Sequence, residues 1–232
     1  MLPLREEVPD LADLNVRAFT TTRAAGDFAW QSAEPAITVF NRWESLCLGL
    51  AELGVRRLAT AQQVHGARVL DHGGSWEGWL RTPDADGHFA RAPGTAMAVT
   101  IADCVPIFIV HPGGTAALLH SGWRGTAARI VEQGIGAFEN AGLRAADLRV
   151  HLGPAICGRC YEVSPEVIQA LTGRPASRHA TVDLRAIIAG HARERGVRSI
   201  SQSARCTRCD NDRFYSHRAG DSGRQLAILA AR

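Results

Sequence analysis

The chain is predicted to form a mixed α/β (α+β) fold: a single domain over residues 1–232 with a mixed β-sheet core flanked by helices. Two observations predict the class. Short apolar runs of strand length recur along the chain, several of them nearly continuous in apolarity, as strands covered on both faces require. Between them lie longer segments with helical periodicity and recognisable start and stop residues. A third observation sets the domain count. There is no internal repeat, no low-complexity tract and no convincing linker, and the richest loop material, residues 71–78 (DHGGSWEG), is too short to separate domains.

In chain order, the first helix is expected over residues 41–53, ended by Gly54 as a left-handed stop. Residues 96–102, 105–110 and 115–119 follow as strands, each an apolar run bounded by turn residues. Thr126 is the expected N-cap of a helix whose apolar face is Ala127, Ile130, Val131, Ile135 and Phe138. A strand is expected over 148–152. Ser164, Pro165 and Glu166 then supply an N-cap, a first-turn proline and an acid matched to the helix dipole. Asp183 caps a last helix through Leu184, Ile187 and Ile188 that stops at Gly196, and residues 226–230 form the final strand.

Composition narrows the function. Apolar residues make up 46% and charged residues 21%, enough for a sizeable core. All 26 basic residues are arginine, the net charge is only +3, and the arginines are scattered without the basic stripe of a nucleic-acid binder. Aromatic residues, at 6%, are too few for base-stacking platforms along a strand. A small-molecule partner is expected instead. Arg5, Glu6, Glu7, Asp10 and Asp13 argue against a secretory signal, and no apolar run reaches the roughly eighteen residues of a membrane span, so the expected location is cytoplasmic. In that reducing setting the six cysteines are expected as thiols, ligands or catalytic groups rather than disulfides.

Three side chains with metal-binding atoms sit at or near the ends of apolar runs, where a rigid sheet can aim them into a shared cleft: His65, Cys104 and His120. Two imidazoles and one thiolate suit zinc or copper, and three protein ligands leave a coordination position open for chemistry. After His120 come Ser121, Gly122, Trp123, Arg124 and Gly125, then a helix. Gly122 and Gly125 permit tight backbone geometry, the helix start attracts an anion, and Arg124 adds a guanidinium fork suited to phosphate.

These segments resemble one family. Gln63-Val64-His65-Gly66, residues 100–106 (TIADCVP) and residues 120–125 (HSGWRG) are similar to the bacterial laccase-domain (YfiH-type) family. Gly153-Pro154-Ala155-Ile156, Tyr161-Glu162-Val163, Cys206-Thr207, residues 214–218 (FYSHR) and Gly223-Arg224 follow in the family's order, so the resemblance runs from about Asn41 to the C-terminus. Members are described as polyphenol oxidase, purine nucleoside phosphorylase or peptidoglycan editing factor. The resemblance implies a zinc- or copper-dependent purine nucleoside phosphorylase acting on adenosine, inosine and methylthioadenosine with phosphate, with adenosine deaminase activity. It also implies that His65, Cys104 and His120 are the metal ligands and catalytic centre, and that Arg218 lies near the site. The chain departs from the pattern over residues 1–40, which read as a shortened, atypical N-terminal segment. Thr22-Arg23-Ala24-Ala25-Gly26 keeps a trace of a Gly-Gly-Val-Ser stretch, and residues 45–49 (SLCLG) echo a Ser-Leu-Asn-Leu-Gly stretch on the wrong side of Asn41-Arg42.

Other readings stay open at this level. Cys104 with His120 or His65 as base would make a cysteine hydrolase suited to peptidoglycan precursor editing. Copper-dependent oxidation of phenols needs several coppers and more grouped histidines than this chain offers. A metal- or nucleoside-binding module with weak catalysis is a third, and both a monomer and a homodimer fit. Cys157-x-x-Cys160 and Cys206-x-x-Cys209 have the pair spacing of a four-cysteine zinc site, but the gap between pairs exceeds that of a compact ribbon, and four separate thiols are expected. Asp103 either orients a ligand or caps a turn. His72, His88, His111, His151, His179, His191 and His217 are expected on the surface or in the core.

Overall fold

Strands that are apolar on both faces must be covered on both sides, and the fold does this with two sheets packed face to face between outer helices. The structure, a computed structural model, describes residues 3–74 and 76–231. In chain order its elements are β1 (Arg5–Glu7), β2 (Val16–Thr21), α1 (Ala36–Ala51), β3 (Arg57–Ala61), β4 (Val69–Asp71), β5 (Gly78–Thr82), β6 (Gly87–Ala90), β7 (Thr95–Ile101), β8 (Val105–Val110) and β9 (Ala116–Ser121). They continue with α2 (Trp123–Ala127), α3 (Ile130–Asn140), β10 (Arg149–Leu152), β11 (Glu162–Val163), α4 (Pro165–Thr172), β12 (Ala180–Thr181), α5 (Leu184–Glu194), β13 (Ser199–Gln202) and β14 (Gln225–Ala231).

One six-stranded sheet runs β1-β2-β14-β7-β3-β5 and the other β13-β10-β8-β9-β6-β4, and both mix parallel and antiparallel pairs. β11 and β12 form a separate two-stranded ribbon. The central strands show why their sequences read as continuous apolar runs. Along β14, Leu226, Ile228 and Ala230 join Trp43, Leu46 and Leu50 of α1 in one apolar cluster. The alternate residues Ala227, Leu229 and Ala231 join Phe108, Val110 and Leu118 of the opposing sheet. Likewise Val105, Ile107 and Ile109 of β8 share a cluster with Ile130, Val131, Ile135 and Phe138 of α3 and with Ile188 of α5. Period-two alternation thus points every second residue into the inter-sheet layer and the others under a helix.

The expected strands are all present, with ends moved by a residue or two, whereas several short or polar strands had no sequence signal. β2, which carries Thr20 and Thr21, pairs with β14 from Val16 to Thr20, and Thr21 Oγ1 accepts the Leu226 amide at 2.9 Å. α1 begins five residues before the expected Asn41 because Pro35, with its fixed φ, is the start signal. Gly54, at φ 81°, is the left-handed residue after it, as expected. The segment after His120 differs more. Thr126 is not a cap: it lies inside α2, which Gly122 precedes, and its hydroxyl pairs with that of Ser121 at 2.8 Å. The helix breaks at Arg129, left-handed at φ 57°, and α3 restarts immediately. Ser164 and Asp183 do precede α4 and α5, and Asp183 Oδ1 accepts the Ala186 amide at 3.1 Å. Among the described residues no helix is long and apolar enough to cross a membrane.

Phe138 is fully buried under the second sheet and meets Phe89 edge-on at 5.0 Å. Phe138→Ala should therefore cost about 3–5 kcal/mol in urea unfolding. A loss below about 1 kcal/mol would contradict this assignment of the helix–sheet core.

Candidate metal centre

Two loops and a strand end carry the candidate ligands to one point. His65 lies in the connection after β3, Cys104 in the turn between β7 and β8, and His120 near the end of β9. Their ligand atoms all lie within 4.8 Å of one another. The two imidazole rings meet edge-on, with centroids 5.0 Å apart. His120 is buried, Cys104 is half-buried, and His65 faces solvent.

The motifs that hold these residues can each be read physically. Gln63 pins the His65 loop to the end of β7: its Oε1 accepts the Thr100 amide at 2.8 Å and its Nε2 donates to the Thr100 carbonyl at 2.9 Å. His65 itself is left-handed at φ 60°, a conformation a side-chain-bearing residue takes only when held. What holds it is Asp86, which no sequence signal singled out. Its fully buried carboxylate accepts the amides of Val64 (3.1 Å), His65 (3.0 Å) and Gly66 (2.7 Å) and also pairs with His120 Nδ1 at 2.8 Å. The Asp86 carbonyl further accepts the His120 amide at 2.7 Å, so one residue orients both histidines. Bonding at Nδ1 leaves Nε2 of His120 as the nitrogen free for a ligand.

The glycines after His120 serve close approach. A Cβ on Gly122 would stand 2.9 Å from Cys104 Sγ and 3.3 Å from His65 Cδ2, and one on Gly125 would stand 3.1 Å from the Gly66 carbonyl oxygen. Asp103, left-handed at φ 81°, braces the Cys104 turn. Its carboxylate accepts the Thr207 hydroxyl at 2.6 Å and the Arg218 amide at 2.7 Å, so it ties the turn to the C-terminal segment rather than to a ligand ring.

Electrostatics sharpen the donor set. Burial pushes the Cys104 thiol up, but the charge of His120 and hydrogen bonds from His120 and His65 outweigh it and lower its pKa. Burial pushes His120 down, and the Cys104 thiolate and Asp86 more than offset that. Asp86 is itself held below the ordinary carboxylate range, its burial outweighed by His120 and the Gly66 and Val64 amides. A thiolate beside two imidazoles in a cradle closed by Gly122 is a donor set that fits zinc or copper.

The three side chains border a cavity of about 770 Å³ whose wall includes Trp30, Trp43, Gln63, Arg81, Thr100 and Arg224. Trp30, Trp43 and Trp79 stack on one another with centroids 4.9–5.5 Å apart, and Trp30 remains 45% exposed. Neither this tryptophan stack nor Arg81 carried a sequence signal, since its members lie far apart in the chain. The described N-terminal segment shapes this wall too. Asp27 Oδ1 accepts the Arg224 amide at 2.8 Å, and Arg23 meets Asp221 at 2.6 Å.

Arg124, Gly122, Gly125 and Arg218 are not among the residues bordering that cavity. Arg124 lies over the Trp123 ring and Arg218 over the Tyr161 ring, with Arg218 also donating to the Glu162 carbonyl. Burial pushes the Tyr161 phenol up to about 12; the charge of Cys104 adds to the rise, while Arg218 and Arg124 oppose it. Both arginines are therefore within electrostatic reach of one tyrosine beside Cys104. Of the histidines expected on the surface or in the core, His72 and His88 pair at 2.9 Å and His151 bonds Ser201, while His217 borders the cavity. The four cysteines expected as separate thiols are not separate: Cys157, Cys160, Cys206 and Cys209 bring their sulfurs within 4.8 Å of one another.

Two sheets between helices, with a histidine–cysteine cluster where the loops meet, define a class of candidate metalloenzyme, and comparison with known proteins identifies the family. Residues 26–232 match the family described as multi-copper polyphenol oxidoreductase laccase, and the chain belongs to that family. It is 34% identical over 237 aligned positions to a purine nucleoside phosphorylase of Mycobacterium tuberculosis, with 93% of this chain and 92% of the relative covered. It is also 34% identical to the Escherichia coli purine nucleoside phosphorylase YfiH, over 72% of this chain and 70% of that one. The crystal structure of YlmD from Geobacillus stearothermophilus superposes with a TM-score of 0.87 at 28% identity, covering 97% of this chain and 94% of that one.

Asp86→Ala removes the acceptor shared by three amides and one imidazole. The expected outcome is a stability loss of about 2–4 kcal/mol and faster amide hydrogen exchange at residues 64–66. Unchanged exchange there would show that the loop is held by something else.

Proposed function

We propose that the protein is a metal-dependent purine nucleoside phosphorylase that cleaves adenosine, inosine and methylthioadenosine with inorganic phosphate and also deaminates adenosine. One observation carries this reading: the ligand atoms of His65, Cys104 and His120 converge beside a cavity of about 770 Å³, roomy enough to admit a nucleoside. The relatives from Mycobacterium tuberculosis and Escherichia coli are named purine nucleoside phosphorylase, which supports the phosphorolytic part of this reading.

His65, Cys104 and His120 would hold zinc or copper, and such an ion, when bound, supplies Lewis-acid stabilisation of developing negative charge. The chain's own residues do the rest. Trp30, stacked on Trp43 and Trp79, offers an aromatic face on which a purine base can lie. Arg218, over the Tyr161 ring, and Arg124, over the Trp123 ring, both within electrostatic reach of Tyr161, would supply positive charge for phosphate. Asp86 keeps the His120 ring turned toward Cys104, so the polar groups are preorganised before substrate arrives. In the reaction a phosphate oxygen bonds to the anomeric carbon as the bond to the purine nitrogen breaks, and the departing base keeps the electron pair and takes up a proton. Positioning and electrostatics provide most of the acceleration for such a displacement.

A second reading has an observation of its own. Asp86, His120 and Cys104 stand in line as acid, base and thiol, the arrangement of a cysteine hydrolase. Alkylating Cys104 in metal-free protein separates the two readings. Hydrolase activity that survives chelation and is lost on alkylation selects the nucleophile.

For the phosphorylase, full-length protein given adenosine and phosphate should release adenine and ribose 1-phosphate, with inosine as the deamination product. Chelation, His65→Ala or Cys104→Ala should each abolish both, and turnover retained in either variant would remove this cluster from the chemistry. Trp30→Ala should raise the KM for adenosine about tenfold, the equivalent of about 1.4 kcal/mol of stacking, and leave the KM for phosphate unchanged. An unchanged adenosine KM would remove the tryptophan face from substrate binding.

A further inference from the structure

We infer that Cys157, Cys160, Cys206 and Cys209 form a second, purely structural metal site that binds one zinc ion through four thiolates. It is independent of the centre at His65, Cys104 and His120. All four sulfurs lie within 4.8 Å of one another, although 45 residues of sequence, 161 to 205, separate the two pairs. Cys160 Sγ and Cys209 Sγ are 3.5 Å apart, well beyond the roughly 2.05 Å of a disulfide. That spacing is close to the roughly 3.8 Å edge of a sulfur tetrahedron around zinc with bonds of about 2.3 Å.

The backbone around the sulfurs is arranged as a metal-binding knuckle rather than as a chance meeting of side chains. Each pair sits on a tight turn: the Cys160 and Tyr161 amides donate to the Cys157 carbonyl, and the Asp210 amide donates to the Cys206 carbonyl. Two amides aim at one sulfur, with Cys157 N 3.2 Å and Cys209 N 3.5 Å from Cys206 Sγ. Amide donors directed at a buried sulfur favour its thiolate form, the form that binds metal. The turns are held side by side by the parallel bridge between Ala155 and Cys206 and by Arg208, which donates to the Cys160 carbonyl at 3.2 Å. On binding, the thiols release their protons to solvent and no redox partner is needed. Four protein ligands leave no open position, which makes the site structural.

Its place in the fold gives it a task. Thr207, next to Cys206, donates to Asp103, and Asp103 carries the turn that presents Cys104. Tyr161, next to Cys160, packs against Arg218. Zinc at the four cysteines would therefore clamp the C-terminal segment against the loop that frames the candidate active centre.

The test uses the full chain, reduced, stripped by chelator, titrated with zinc chloride and weighed intact by native mass spectrometry. Two zinc ions are expected per wild-type chain and one per Cys160→Ser/Cys209→Ser chain. One zinc in the wild type and none in that double variant would support the four-cysteine site while removing metal from the other centre. Equal zinc content in the two proteins would overturn the inference. So would the mass loss of a disulfide among these four cysteines in the reduced wild type. Should the double variant fail to fold, cobalt(II) added to stripped Cys104→Ala protein gives the answer instead. Intense thiolate-to-cobalt absorption with tetrahedral visible bands is expected, and their absence would equally overturn it.

Discussion

The buried carboxylate of Asp86 is the constraint on which the candidate active centre depends. A carboxylate with no exposed surface is costly to desolvate unless each lone pair is used, and here three amides and an imidazole use them. The same set of bonds holds a left-handed histidine in a loop, fixes the ring of a second histidine in a strand, and turns both toward a thiol from a third element. Asp86 itself lies just before β6, which pairs with β9, so the sheet register delivers it beside His120. The cluster forms where the two sheets exchange chain: His65 lies between β3 of the first sheet and β4 of the second, Cys104 between β7 of the first and β8 of the second, and His120 on β9 of the second.

Much of this was legible in the chain. Strands with apolar side chains on both faces declare themselves, because the two apolar faces leave no polar alternation to hide them: residues 105–110 coincide with β8. His65, Cys104 and His120 could be selected because each stands at the border of such a run. Asp86 stands at a comparable border, before the strand of His88 and Phe89, but an aspartate in that place reads as an ordinary turn residue, and only its partners distinguish it. β2 and β3 were hidden for the opposite reason, since their threonines and arginines satisfy local turn chemistry as readily as a ladder. The helix after His120 was misplaced because Thr126 has cap chemistry, yet Gly122 is what the close approach of Cys104 permits at the start.

The four-cysteine cluster shows the same limit in another form. Spacing within each Cys-x-x-Cys pair is local and was visible, while the meeting of the pairs depends on the bridge between Ala155 and Cys206, a long-range contact with no sequence marker. The tryptophan stack is likewise assembled from residues 30, 43 and 79, which only the fold brings together. In each case the residue types are recognisable and the topology supplies the adjacency. The N-terminal residues behave similarly: Arg23 and Asp27 reach across to Asp221 and Arg224 and so help to shape the cavity wall.

Two thiol-containing clusters thus lie along one continuous path, from Cys206 through Thr207 and Asp103 to Cys104. The central claim is that Asp86-oriented His65 and His120 share an ion with Cys104. Anomalous diffraction at the zinc edge, from crystals of the zinc-loaded protein, tests it most directly. A peak bounded by two imidazole nitrogens and the Cys104 sulfur, with Asp86 on His120 Nδ1, is the predicted result. Zinc bound elsewhere with this position empty, or His65 turned away from Cys104 in the loaded protein, would contradict it.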